Sequence, residues 1–153
     1  MFRIKSKIIA ILAIIFLFLV PNYSKADTIV NLPITEDTTW SPAGGVYVIS
    51  TYFSIEPGAT LTIEPGTIIK GRTTGFGTPN IYGNLIAHGT TQNPIHFTSI
   101  FDDTLGGDTD GNGASTGNPG DWQGLYFKPG STGSLDYVEI SYAGYGGFNT
   151  GSQ

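Results

Sequence analysis

The chain has 153 residues, which fits a single domain. Glycine accounts for 22 positions and proline for 9, and only 12% of the residues are charged, whereas 39% are hydrophobic. This composition disfavours helix, and its hydrophobic content is too high for a disordered chain. The chain has no cysteine, which excludes disulfides, cysteine-based zinc sites and thiol nucleophiles.

Residues 1–26 have the layout of a secretory signal peptide. A basic start precedes thirteen consecutive hydrophobic residues at positions 8–20, and a small-x-small motif, Ser24-Lys25-Ala26, follows them. A helix of that length spans about 20 Å, short of the roughly 30 Å hydrocarbon core of a bilayer. We therefore predict cleavage between Ala26 and Asp27 and export to the extracellular space or the cell envelope. An uncleaved N-terminal anchor is the alternative.

Cleavage would leave a strongly acidic chain. Three basic residues, Lys70, Arg72 and Lys128, remain against twelve acids, which gives a net charge of −9. Such a surface repels nucleic-acid phosphates, so we exclude nucleic-acid binding, and divalent cations become the natural counter-charge. Lys70 stands at the end of a predicted strand, where we expect it to cap an edge or to meet nearby acids.

After position 26, hydrophobic residues alternate in short runs, which is typical of β-strands. Pro-Gly pairs separate these runs and favour tight turns. Three segments repeat the pattern of strand, glycine turn and second β-rich run, and Leu61, Leu85 and Leu125 occupy equivalent positions in them. Leu61 and Leu85 are 24 residues apart, a length typical of one solenoid coil. We expect the three leucines to stack.

This repeat predicts an all-β solenoid of about three coils over residues 46–153. An Asp/Gly-rich insertion at residues 102–120 has almost nothing hydrophobic to bury, and we expect it to form a side loop. Residues 27–41 show no coil pattern, so residues 27–45 are predicted to form the polar-edged N-terminal cap that solenoids need.

The repeated segments resemble a known family. The resemblance rests on GATLTIEPGTIIKG, LIAHGTTQNPIHFTS, GGDTDGNGAS, PGDWQGLYF and LDYVEISYAG. These runs are similar to the N-terminal coils of secreted bacterial right-handed parallel β-helix proteins of the pectin lyase-like superfamily. The resemblance spans about residues 46–144 and implies a right-handed parallel β-helix. Family members often carry many more coils, so we expect a truncated C-terminal end that further coils or a partner cover.

The insertion contains the opening of a calcium-binding motif, D-x-[DN]-x-[DN]-G. The candidate oxygen ligands are Asp108, Asp110, Asn112, Ala114 through its carbonyl, and Asp121. Position 12 of the motif, where an EF-hand places glutamate, is Pro119. The sequence therefore predicts either a weak calcium site of the extracellular class or a solvated acidic loop.

Aromatic residues crowd the final third of the chain. Alternation places Tyr126, Tyr137 and Tyr142 in an outward row on adjacent coils, where they would form a flat face for stacking sugar rings. Ordinary exposed strand aromatics explain the same pattern.

No residue is assigned a catalytic role. Adjacent Asp102 and Asp103 point to opposite faces of an extended strand, which places them poorly for glycosidase chemistry. The leading hypothesis is an exported, non-catalytic scaffold that presents loops or a strand face to glycans or proteins, with calcium as a candidate stabilising ion. The alternative is the N-terminal part of a polysaccharide lyase or glycoside hydrolase whose catalytic coils lie beyond residue 153.

Overall fold

The computed structural model describes residues 26–50, 53–72 and 79–144. The predicted signal peptide up to residue 25, and the predicted truncated end at residues 145–153, lie outside these ranges. Ala26 and Asp27 are exposed and directly precede the first strand. Within the described ranges, there is no helix with the length and hydrophobicity that crossing a bilayer requires.

The described residues form short strands joined by turns. The strands are β1 (Thr28–Val30), β2 (Thr38–Trp40), β3 (Tyr47–Ile49), β4 (Phe53–Ile55), β5 (Thr60–Ile63), β6 (Ile68–Gly71), β7 (Pro79–Ile81), β8 (Asn84–His88), β9 (Ile95–Ser99), β10 (Tyr126–Phe127), β11 (Thr132–Asp136) and β12 (Val138–Ile140). One 3-10 turn, Pro42–Gly44, is the only helical element of this part of the chain.

The strands form three parallel sheets. Sheet A has the order β1-β3-β6-β9-β12, sheet B the order β10-β7-β4, and sheet C the order β11-β8-β5-β2. Along the chain, strands enter sheets A, B and C in that order three times, as β3-β4-β5, β6-β7-β8 and β9-β10-β11. The prediction of an all-β chain is confirmed, and this parallel topology is compatible with a β-helix. One round through the three sheets is called a coil below.

The main hydrophobic core lies between the sheets and is built from alternating residues. In β5 and β8, Leu61 lies in register with Leu85 and Ile63 with Ala87, and all four side chains are buried. Their neighbours on the same strands are half-buried, except His88, which is exposed. A single coil could not remove such side chains from water, whereas stacking them buries a continuous row. The predicted stacking of Leu61 on Leu85 is confirmed.

The third leucine of the predicted row lies elsewhere. Leu85 pairs with Gly133 in β11, whereas Leu125 directly precedes β10 of sheet B and packs against the core from there. The prediction that Leu125 stacks on Leu85 is therefore wrong. Since Gly133 has no side chain, a hydrophobic pattern cannot reveal that it occupies the equivalent position.

The predicted cap region forms strands as well. β1 pairs with β3 in sheet A, β2 pairs with β5 in sheet C, and Ile34 makes an isolated parallel bridge to Ile55. The segment thus follows a coil path although its three-residue strands are too short to show a period in the sequence. It lies at the outer edge of sheets A and C, and its role as a cap stays a prediction.

The Asp/Gly-rich loop packs onto the outer face of sheet A. There it covers a second hydrophobic cluster made of Val46, Val48 and Ile100, with Ile68 and Phe101 packed against it. Lys70 and Thr98, whose strands neighbour each other in sheet A, are also fully buried. The loop therefore buries the outer face of sheet A.

Candidate functional site

The predicted calcium motif folds as a turn in which backbone amides donate hydrogen bonds to the carboxylate of Asp108, the first residue of the motif. Asp108 accepts backbone hydrogen bonds at Oδ1 from Gly111 (2.8 Å) and Asn112 (3.2 Å) and at Oδ2 from Gly113 (2.9 Å). The backbone hydrogen bond from Gly113 is the largest cause that holds the pKa of Asp108 below its ordinary value. Desolvation opposes this shift, and the bonds from Gly111 and Asn112 add to it. Both carboxylate oxygens of Asp108, which a cation would need as ligands, thus already accept hydrogen bonds from backbone amides.

The other candidate ligands also hydrogen-bond within the protein or are exposed. The Asn112 amide nitrogen donates to Asp110 Oδ2 at 2.9 Å, and Ala114 is exposed. Asp121 Oδ2 accepts from Ser99 Oγ at 2.6 Å and from the Asn118 backbone N–H at 2.8 Å. Asp121 therefore fastens the end of the loop to β9.

Among the described residues, no group of three or more histidine, aspartate or glutamate side chains is placed to hold a metal ion. Calcium takes six to eight oxygen ligands, and in this structure carboxylate oxygens of Asp108 and Asp121 accept hydrogen bonds from the protein. Calcium binding stays a prediction from the sequence motif.

Lys70 lies beneath the loop. Its Nζ donates to the Gly107 carbonyl at 2.7 Å and to Thr109 Oγ1 at 2.8 Å. Burial lowers the pKa of Lys70, and the negative charges of nearby aspartates oppose that shift, Asp103 most strongly. The expectation that Lys70 meets nearby acids agrees with these charges, but the sequence did not indicate that an insertion would bury it.

Asp102 is the buried carboxylate at the base of the loop. Its Oδ2 accepts from Thr98 Oγ1 at 2.6 Å, and its Oδ1 accepts from the backbone N–H and the hydroxyl of Thr104. Burial by itself would raise the pKa of Asp102. The bonds from Thr104 and Thr98, together with the charge of Lys70, outweigh burial and hold the pKa below its ordinary value. Asp102 is thus a positioned structural anion.

A groove of about 690 Å³ lies at the end of the last described coil. Its lining includes Leu125, Tyr126, Phe127, Leu135, Ile140 and Tyr142. Three of these residues lie in register with buried residues of the preceding coil; the pairs are Ile81–Phe127, Ala87–Leu135 and Phe97–Ile140. The exposed fractions of Phe127, Leu135 and Ile140 are 42%, 42% and 49%. Within the part of the chain that the structure describes, the groove therefore continues the core rows and no further strand covers it.

The structure brings together two of the three predicted ligand-binding tyrosines. Tyr126 and Tyr142 both line the groove, and the Lys128 ammonium lies 5.3 Å from the Tyr126 ring centroid. Tyr137 is not part of that lining. It stands at the corner between β11 and β12, half exposed, with a positive φ of 47°. The chain on either side of Tyr137 therefore forms two strands that belong to different sheets.

The sequence did not single out Phe127, Leu135 and Ile140 as surface residues. Their alternation is that of core positions, and only the strand register shows that no described strand covers them. Comparison with family models, with curated proteins and with solved structures finds no match for this chain.

Proposed function

We propose that this chain is an exported, non-catalytic scaffold built as a right-handed parallel β-helix of about three coils. The recurring A, B, C order of parallel strands and the in-register rows support the β-helix. Right-handedness is supported by the general rule that crossovers between parallel strands are right-handed in about 98% of cases. Export is supported by the leader pattern of residues 1–26.

The observation that carries a binding role is the groove at the end of the last described coil. It combines exposed hydrophobic residues with β10, β11 and β12, each of which lies at the end of its sheet. Hydrophobic patches of this kind mark binding surfaces. A polypeptide that adds parallel strands, either further coils or a partner protein, satisfies both features by β-augmentation.

A glycan is the second occupant that we propose for the groove. Tyr126 and Tyr142 present aromatic rings to it, and such rings stack on sugars while their hydroxyls stay available for hydrogen bonds. The charge of Lys128 near the Tyr126 ring adds a donor for acidic sugars. Neutral and uronate-containing polysaccharides are therefore both suitable probes.

Co-sedimentation with insoluble polysaccharides tests the glycan proposal. The chain is expected to be retained without releasing soluble sugar, and retention should fall in Tyr126→Ala and Tyr142→Ala. Tyr82→Ala is the matched control, because Tyr82 is an exposed tyrosine that does not line the groove. Retention that is equal in all four proteins would reject the groove as the glycan site.

The enzyme alternative stays a prediction. A polysaccharide lyase would generate an unsaturated uronate product with a new ultraviolet absorbance, and a hydrolase would release reducing ends without it. Turnover by the chain in either assay would contradict the non-catalytic proposal. Calcium remains a candidate stabilising ion, and its role is tested below together with Lys70.

A further inference from the structure

Lys70 is a fully buried lysine in sheet A. It stands in β6 between Val48 of β3 and Thr98 of β9, its register partners in sheet A, and its exposed fraction is 0%. An ammonium group is costly to bury unless hydrogen bonds and opposite charges surround it. The surroundings of its Nζ atom therefore show what compensates the charge.

Two hydrogen-bond acceptors of the Lys70 ammonium group belong to the Asp-rich loop. The acceptors are the Gly107 carbonyl and the Thr109 hydroxyl, which are 37 and 39 residues away in sequence. Carbonyl and hydroxyl oxygens are also the uncharged ligands that calcium accepts. One ammonium group thus joins the centre of the loop to the sheet below it.

Carboxylates supply the opposite charge. Asp103, Asp102, Asp27 and Asp110 all act electrostatically on Lys70. Among the described residues, Asp103 Oδ1 and Asp110 Oδ1 are buried and accept no hydrogen bond. Buried carboxylate oxygens of this kind depend on a nearby positive charge, and Lys70 is the buried cation of this region.

We propose that Lys70 is the internal cation that closes the Asp-rich loop over the outer face of sheet A, in place of the calcium ion that the loop's sequence motif suggests. The proposal gives a role to Asp103 and Asp110, whose negative charges act on Lys70 and which each leave one buried oxygen without a hydrogen bond. It also explains how an insertion with few hydrophobic residues stays packed against Val46 and Val48.

Hydrogen exchange on the full chain, without added metal, tests the proposal. Lys70→Met keeps the length of the side chain and removes its charge. Exchange of the amides in residues 102–121 is expected to rise by about tenfold or more, because local opening becomes easier. Amides of β5, on the opposite sheet C, serve as an internal reference. Lys128→Met is the matched control and should leave the loop unchanged.

A milder variant covers the case in which Lys70→Met does not fold. Thr109→Val removes one of the two acceptors and leaves the lysine in place. Acetylation of lysines by an amine-reactive reagent, followed by mass spectrometry, then reports on loop opening. In the parent, Lys70 should react at least about tenfold more slowly than Lys128, and Thr109→Val should bring the two rates closer. Equal rates in the parent would overturn the proposal.

Calcium provides the competing outcome. The parent is expected to show the same loop exchange and melting temperature with and without millimolar calcium, whereas a folded Lys70→Met variant should regain loop protection when calcium is added. If calcium protects the parent loop, and Asp108→Ala abolishes that effect, the ion is the counter-charge and the proposal for Lys70 is wrong. Unchanged loop exchange in Lys70→Met without metal would also overturn the proposal for Lys70.

Discussion

Phe127 lies in register with Ile81, yet Ile81 is completely buried and 42% of Phe127 is exposed. The difference comes from position, because β7 has strands on both sides in sheet B whereas β10 lies at the end. The same relationship holds for Leu135 and Ala87 in sheet C. One end of the described structure therefore presents half of the interface that joins successive coils. Unpaired strand edges with hydrophobic side chains are a template for pairing with another chain.

The first prediction concerns this end of the molecule. Lysine on an edge strand blocks edge-to-edge pairing, so Leu135→Lys should weaken self-association of the chain by about tenfold or more in dissociation constant, which corresponds to about 1.4 kcal/mol. Sedimentation velocity over a range of concentrations measures the effect. Tyr82→Lys, at an exposed residue outside the groove, should change little. A variant that associates as strongly as the parent would show that another surface is responsible.

The second prediction concerns the stacked core row. Leu85→Ala should lower the free energy of unfolding by about 2–5 kcal/mol, because it opens a cavity between Leu61 and the next coil. Urea denaturation followed by circular dichroism measures the change. Ile86→Ala is the control on the same strand, since Ile86 points outward and is half-buried. A loss below about 0.5 kcal/mol for Leu85→Ala would be typical of a surface residue. It would contradict the strand register that places Leu85 in the core.

Local patterns predicted the strands better than the connections between them. The step from Leu61 to Leu85 follows from alternation and turn spacing, since no insertion separates them. Beyond β9 the loop breaks the spacing, and Gly133 carries no hydrophobic side chain to mark the register. Tyr137 belongs to a residue type that favours strands, so its positive φ, which ends one sheet and begins the next, could not be predicted.

In the Asp-rich loop, too, local structure and long-range packing differ in how far the sequence indicates them. Its motif predicted a calcium site or a solvated loop, and the structure shows a turn whose backbone amides donate to Asp108. Its packing onto sheet A depends on contacts between residues far apart in sequence, such as Lys70 with Gly107. Composition suggested a solvated loop, because Ile100 and Phe101, which anchor it, stand just before the acidic stretch. The part that could not be predicted is therefore the part that long-range contacts decide.

The third prediction follows from the lowered pKa of Asp102. The unfolded chain binds a proton on this carboxyl at a higher pH than the folded chain, so the stabilisation is complete above the ordinary carboxyl pKa of about 3.9 and is lost as the pH falls through the lower folded value. Asp102→Asn should destabilise the protein at pH 7, and the difference from the parent should shrink below about pH 4. Urea denaturation across this range measures it. A difference independent of pH would assign the effect to packing alone.

The fourth prediction separates steric from conformational effects in the loop. Gly106 and Gly107 both have positive φ, 71° and 80°, where a side chain is strained by about 1–2 kcal/mol. A Cβ atom on Gly107 would meet nothing within 4 Å, whereas one on Gly106 would lie 2.5 Å from Val46 Cγ2. Gly107→Ala should therefore cost only the conformational strain, and Gly106→Ala should cost more, because it also pushes the loop away from sheet A.

Thermal unfolding and hydrogen exchange of the loop measure this difference. Gly106→Ala should raise the exchange of loop amides well beyond Gly107→Ala, and Val46→Ala in the same chain should remove part of that excess by clearing the Cγ2 contact. Equal melting temperatures and equal loop exchange in Gly106→Ala and Gly107→Ala would mean that the loop does not contact Val46 closely. The cover over sheet A would then rest on Lys70 and on the hydrophobic anchors Ile100 and Phe101 without this close approach.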